Sequence, residues 1–98
     1  MEIKQGGRLG LHWHKETENY FIYEGRAIFT IGDKEFDVDG DKDPTHLTIP
    51  GNVPHEIYNP YPKTMKLFYY FPGGATFKDD ITYYFPDGSK RGPGSEWL

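Results

Sequence analysis

Hydrophobic and polar residues alternate along much of this chain, and a two-residue period is typical of strands with one buried face. In the stretch from Glu18 to Tyr23, for example, Tyr20 and Ile22 fall on the opposite face from Phe21. Long runs with the 3.6-residue period of an amphipathic helix are absent from the sequence. The pattern predicts strands over residues 9–14, 18–23, 26–31, 35–38, 45–49, 55–58, 63–71 and 81–85.

Turn-forming residues separate these strands, and aromatic residues are abundant within them. The chain has 98 residues, with twelve Gly, eight Pro, eight Tyr and seven Phe. The segment 31–34, Ile-Gly-Asp-Lys, predicts a hairpin turn between two of the strands. The strand at 63–71 is nearly apolar on both faces, which is typical of a strand buried between two sheets. We therefore predict one small all-β domain over residues 1–98.

Composition excludes several classes of function. There is no cysteine, so thiolate metal sites, disulfides and cysteine nucleophiles are excluded. The formal net charge of −4 argues against nucleic acid as a partner, because phosphate binding favours a basic face. No apolar run approaches the roughly 18–20 residues that span a membrane. The first residues lack the apolar core of a secretory signal, so we expect a soluble, cytoplasmic protein.

Three histidines and one carboxylate form the chemical signal of the sequence. His12 and His14 are two residues apart, so a strand would point both side chains to one side, together with Gly10 and away from Trp13. Glu18 begins the next strand in the same inward phase, and His55 would be brought in by the tertiary structure. This set suits divalent Fe, Mn, Zn, Ni or Cu. Chance placement is the alternative for any single histidine.

The spacing of these residues resembles the first motif of the cupin superfamily. The five fixed positions of that motif are all filled, by Gly6, His12, His14, Glu18 and Gly25, within residues 6–25.

The stretch 44–59 resembles the second cupin motif less completely. Pro50, His55 and Asn59 match it, whereas Pro44 and Asn52 stand where the motif has glycine. Asn tolerates the left-handed backbone conformation, so the change at position 52 is mild. Pro44 implies a different entry into the following strand, because proline restricts the residue before it.

The resemblance implies a small double-stranded β-helix, or jelly-roll barrel, with one divalent metal ion on His12, His14, Glu18 and His55. It also implies a small metalloenzyme of dioxygenase, isomerase, decarboxylase or lyase type, acting on a small oxygen-rich molecule. A non-catalytic module that binds a sugar or another small ligand is the alternative. The side chains expected to line the cavity are Tyr20, Ile22, His46 and Tyr69, with weaker support for His46, which we interpret in the first place as an ordinary strand residue.

The short segment before Gly6 predicts an exposed sheet edge, because cupins usually have strands before the first motif. Either a partner chain or the C-terminal segment 76–98 would cover that edge. We therefore expect a homodimer, with Trp13 or Trp97 as candidate interface residues.

The acidic segment 37–43 has the pattern Asp-x-Asp-Gly-Asp-x-Asp, which is similar to a calcium-binding loop. The match fails because no flanking helices are predicted and no glutamate stands at the closing position. We interpret the segment as a solvated turn.

Overall fold

The computed structural model describes residues 1–76 and 79–93, and every regular element among them is a β-strand. The strands are β1 (Glu2–Ile3), β2 (Arg8–His12), β3 (Glu18–Glu24), β4 (Arg26–Ile31), β5 (Lys34–Asp39), β6 (Thr45–Ile49), β7 (His55–Tyr58), β8 (Met65–Tyr70), β9 (Tyr83–Tyr84) and β10 (Lys90–Arg91).

Two four-stranded antiparallel sheets form the body of the protein. One has the strand order β1-β8-β3-β6 and the other has the order β2-β7-β4-β5. The inward side chains of both sheets form one apolar core, which includes Tyr20, Ile22, Phe29, Ile57 and Leu67. Two antiparallel sheets around one core confirm the jelly-roll prediction. Strands β3 to β7 lie where the sequence pattern predicts them, with ends shifted by at most one residue.

The first strand and the strand at 63–71 differ from expectation. Residues Glu2–Ile3 pair with β8, so β1 covers one sheet edge that was expected to be exposed.

The strand predicted at 63–71 was expected to be buried on both faces. In β8 only Met65 and Leu67 are buried, whereas Phe68 is 63% exposed and Tyr70 is 50% exposed. The reason is that β8 lies inside a sheet with one face on the core and the other face open.

A β-bulge in β2 changes which of its side chains face the core. The pairing with β7 shifts between Leu9 and His12, and both of these side chains are buried although they are three residues apart. The prediction that Gly10 shares the inward face with His12 is therefore wrong, since the extra residue of a bulge moves Leu9 into that position. Trp13 nevertheless points away from the core, as expected, and is half-buried.

The predicted last strand, 81–85, is shorter in the structure, where β9 is Tyr83–Tyr84. Tyr84 forms an antiparallel bridge with Trp13, and both backbone hydrogen bonds of that bridge are present, at 3.0 and 2.9 Å. The C-terminal segment thus covers the chain just beyond β2. Within residues 1–76 and 79–93, no helix is long and apolar enough to span a bilayer.

The acidic segment 37–43 uses its carboxylates on neighbouring protein groups. Asp37 receives two hydrogen bonds from Arg26, and Asp41 pairs with the Nζ of Lys63 at 3.0 Å. Asp39 accepts hydrogen bonds from the backbone N–H groups of Asp41 and Lys42. Residues 37–39 end β5, so the prediction of a turn over the whole segment is wrong for them, and the turn itself begins at Gly40. Asp39 stabilises that turn, whereas Asp37 and Asp41 contact side chains of other segments.

Candidate metal centre

Three histidine rings are held in place by the same kind of hydrogen bond. The Nδ1 atoms of His12, His14 and His55 lie 2.7, 2.9 and 2.9 Å from the carbonyl oxygens of Gly10, Glu16 and Val53. Each carbonyl belongs to the residue two positions away in sequence. A carbonyl can only accept a hydrogen bond, so each Nδ1 carries a proton and each neutral ring presents the Nε2 lone pair.

These three rings converge at one buried point between the sheets. His12 lies at the end of β2, His14 lies in the loop that follows, and His55 begins β7. Their exposed fractions are 2%, 2% and 1%. One ring nitrogen from each lies within 4.8 Å of the others, which is a separation that a single ion can bridge.

Glu18, the first residue of β3, brings a carboxylate to the same point. Its Oε1 atom lies 3.2 Å from the Nε2 of His14 and 3.3 Å from the Nε2 of His55. The first pair has hydrogen-bond geometry, whereas the Nε2 of His55 is buried and has no hydrogen-bond partner among the residues that the structure describes. With Nδ1 protonated, a neutral ring has only a lone pair to offer this oxygen. A proton or a metal cation between them resolves the repulsion, so the donor set fits a cation.

The protonation states suit metal binding at neutral pH. Burial, followed by the nearby charge of His55, lowers the pKa of His12 to about 4, so this ring is neutral at neutral pH. Burial alone would raise the pKa of Glu18. Hydrogen bonds and positive charge at His14 and His55 outweigh that effect and lower the pKa of Glu18; where those rings are neutral, a bound cation must supply that positive charge.

A small cavity adjoins the cluster. Its volume is about 10 Å³, which is room for about one water molecule. Its walls are Met1, Leu9, His12, Glu18, Tyr20, Tyr69 and Tyr83. A larger groove of about 230 Å³ shares Met1 and Leu9 with it and lies between β1 and β2. We place the chemistry at the smaller cavity, because two of the four candidate ligands line it.

Only two of the four predicted cavity residues line this space. Tyr20 and Tyr69 do so, and burial, followed by the charge of Glu18, raises the pKa of Tyr20 well above its usual value. Ile22 packs in the apolar core instead. His46 lies on the outer face of β6, where it stacks on Tyr70 at 6.3 Å. The structure therefore excludes His46 from the cavity, because it shares the outward phase of Phe21, its partner across the sheet.

Sequence reasoning missed three aromatic residues that contact the histidines; one of them is Phe85, whose ring centroid lies 6.5 Å from that of His12. The ring of Tyr83 lies 5.7 Å from His12 and 5.5 Å from His14, and Phe71 lies 5.5 Å from His14. The alternation of Ile81, Tyr83 and Phe85 indicates an inward face. It does not indicate which part of the protein that face packs against.

A family model described as a cupin domain matches residues 1–71. No curated protein compared with the chain matches it.

Solved structures share the fold at low sequence identity. A predicted oxalate decarboxylase from Thermotoga maritima superposes with a TM-score of 0.66 at 22% identity, covering 72% of this chain and 60% of that one. A putative sugar phosphate isomerase from Acidithiobacillus ferrooxidans gives 0.68 at 17% identity, with 88% and 53% covered. A conserved barrel domain protein of the Cupin 2 type from Salinispora arenicola gives 0.61 at 19%, with 69% and 55% covered. The chain thus spans less than two thirds of the length of these proteins.

Proposed function

The chain belongs to the cupin family, and we propose that it binds one divalent first-row metal ion through His12, His14, Glu18 and His55. The proposal rests on one observation: ring nitrogens of the three histidines and the Glu18 carboxylate lie close together at one buried point. The Nε2 atom of His55 lies 3.3 Å from the Glu18 carboxylate and has no hydrogen-bond partner. A buried arrangement of this kind is costly without a cation.

We further propose that the protein is a small metalloenzyme for an oxygen-rich small molecule, of dioxygenase, isomerase, decarboxylase or lyase type. A bound divalent ion would supply Lewis acidity toward an oxygen atom of that molecule. Four protein ligands leave two positions of an octahedral ion for other ligands. Two structural neighbours, a predicted oxalate decarboxylase and a putative sugar phosphate isomerase, support a substrate rich in oxygen.

The residues of the chain itself have distinct parts in this proposal. The three backbone carbonyls that accept from Nδ1 fix the ring orientations before an ion arrives, and such partners strengthen metal ligands. Because burial raises its pKa well above the usual value, the Tyr20 hydroxyl stays protonated at neutral pH and can donate a hydrogen bond at the cavity wall, but it is a poor donor of a proton. A sugar-binding module has less support, because the cavity beside the ligands measures about 10 Å³, whereas small-molecule pockets usually measure roughly 300–1,000 Å³. The same comparison disfavours a sugar-sized substrate for the enzyme.

Metal analysis tests the proposal directly. Protein purified without a nickel column is dialysed against Fe, Mn, Zn, Ni and Cu salts in turn, and bound metal is counted by mass spectrometry. We expect about one ion per chain, lost in the His55→Ala variant. His46→Ala is the matched control, because His46 is exposed on the opposite face and its loss should leave the stoichiometry unchanged. Equal metal content in His55→Ala and the wild type would refute the site.

We also propose that two copies form a homodimer through an exposed aromatic face on the sheet that contains β3 and β8. Tyr23 stacks on Phe68 at 5.0 Å, and Phe21 pairs with Phe68 across the strands. His46 and Tyr70 complete this aromatic face. Its exposed aromatic area is roughly 400 Å², within the range of functional patches and about half of one side of a standard interface. Polar residues around this face would supply the rest of the area buried in a dimer interface.

In this proposal the aromatic face replaces Trp13 and Trp97 as the candidate dimer interface. Trp13 is partly covered by Tyr84 of its own chain, with ring centroids 6.4 Å apart, and Trp97 lies outside the described residues. Light scattering should give a dimer for the wild type at micromolar concentration and a monomer for Phe68→Ser. Tyr84→Ser is the control, since Tyr84 is exposed away from this sheet. A monomeric wild type would contradict the proposal.

A further inference from the structure

The segment after β8 forms a second apolar cluster beside the metal centre. Phe71, Ile81 and Tyr83 are buried together, and Ala75 and Phe85 pack against them. The cluster is separate from the main core between the sheets. Most of it lies beyond residue 71, where the match to the cupin domain model ends. This cluster is therefore a feature of this chain in addition to the matched domain.

Tyr83 is the member of the cluster that meets the candidate ligands. Its ring contacts both His12 and His14, edge-on to the latter, and it forms part of the wall of the 10 Å³ cavity. Its side chain is 5% exposed. The ring therefore occupies space next to the two histidines that a ligand of several atoms would need.

The backbone determines which tyrosine points inward. Tyr84 exchanges two hydrogen bonds with Trp13, and its ring stacks on the Trp13 ring on the outside, with an interplanar angle of 17°. Because neighbouring side chains of a strand point to opposite faces, the bridge at Tyr84 directs Tyr83 toward the histidines. The position of the Tyr83 ring is thus specified by backbone pairing and by packing.

We infer that Tyr83 is a specificity-determining residue, whose ring limits the ligands that reach the metal centre to about the size of water, dioxygen or a small linear anion. The inference rests on the proposed function. It deepens that proposal by adding an upper size limit for the molecule that can bind beside the ion: it favours chemistry on dioxygen or on a very small anion, and it disfavours substrates of the size of oxalate or a sugar phosphate while the ring is in place. Removing the ring should enlarge the cavity by most of the volume of a phenol side chain and admit planar ligands of five or more heavy atoms.

Cobalt-loaded protein gives a spectroscopic test that does not depend on turnover. Azide and imidazole are titrated separately into the Co²⁺ forms, and the visible d–d absorption of the ion is followed. We expect the wild type to bind azide but to bind imidazole at least tenfold more weakly than Tyr83→Ala does. Tyr83→Phe should behave as the wild type does, because the ring is retained. Tyr84→Ala is the matched control on the outer face.

The outcomes separate this inference from the proposed function. If the wild type binds no Co²⁺, the metal site fails and the size limit fails with it. If it binds Co²⁺ and admits imidazole as readily as Tyr83→Ala, only the role of Tyr83 is overturned. Should Tyr83→Ala lose its fold by circular dichroism, Tyr83→Leu replaces it, since leucine keeps apolar packing with a smaller side chain. Unchanged imidazole binding in folded Tyr83→Leu would also overturn the inference.

Discussion

The backbone N–H of Asn52 donates a hydrogen bond to the carbonyl oxygen of His14 at 2.7 Å. This bond joins the turn before β7 to the loop after β2, and so it joins the segments that carry His55 and His14. Asn52 has a φ of 64°, in the left-handed region that favours glycine and tolerates asparagine. The sequence expectation that asparagine can replace glycine at this position is thereby confirmed.

Substitution of Asn52 should affect both stability and metal binding. Asn52→Val should lower the free energy of unfolding by about 1–2 kcal/mol, because a β-branched residue is strained in the left-handed region. The same variant should bind metal more weakly, since the His14 loop loses its fixed position. Asn52→Gly should change stability by about 0.5 kcal/mol or less. Urea denaturation of the metal-free proteins checks the ranking, and a Val variant as stable as Gly would contradict it.

Glu18→Gln should weaken metal binding without disrupting the fold. Glutamine keeps the size of the side chain and loses the charge that faces His14 and His55. We expect at least about a tenfold loss of affinity, measured by calorimetry with Zn²⁺. Gln substitution of Glu56, a partly exposed residue paired with Arg8, is the control and should leave affinity unchanged. An unchanged affinity in Glu18→Gln would leave the three histidines as the whole protein donor set.

Asn59→Ala should be among the most destabilising substitutions. The side chain is fully buried, and its Nδ2 donates to the carbonyls of Ile3 and Lys63 at 2.8 and 2.9 Å. Its Oδ1 accepts from the N–H of Tyr61. Removal leaves these backbone groups unpaired, so we expect a loss of about 2–4 kcal/mol in the free energy of unfolding. Thermal and urea unfolding measure it. A loss below about 1 kcal/mol would show that water replaces the amide.

The contact between Arg26 and Asp37 should make stability depend on acid pH. Hydrogen bonds from Arg26, the largest effect, lower the pKa of Asp37, although partial burial opposes them and Tyr61 adds a further bond. Because the folded-state pKa is depressed, the contribution is present above the unfolded value of about 4 and is lost as pH falls through the folded value.

Asp37→Asn tests this pH dependence. The variant should be less stable than the wild type at pH 6–7, and the difference should shrink as the pH falls below about 4 and vanish once Asp37 is protonated in the folded state. The effect should be small and weaken with salt, since both side chains are more than a third exposed. Urea midpoints across the pH range measure it, and a difference independent of pH would assign the effect to packing on Tyr61.

The sequence by itself predicted the strands and the donor types. A two-residue period follows from the geometry of a half-buried strand, so residues 18–58 could be assigned from their pattern. The same rule predicted His12 and His14 on one side, and both are buried at one point, although β2 ends at His12 and His14 lies in the loop after it. The left-handed turn at Asn52 followed from the known tolerance of asparagine.

Only the tertiary structure decided the features that depend on contacts between distant segments. The β2 bulge, the pairing of β1 with β8 and the open outer face of β8 depend on which strands become neighbours. Which strands become neighbours also decides that His55 lies next to Glu18 and that Tyr83 lies next to the histidines. The local pattern cannot specify these features, because the same alternation of apolar and polar residues is compatible with several strand registers and several partner strands. Burial of the inner faces of both sheets in one core selects one arrangement among them.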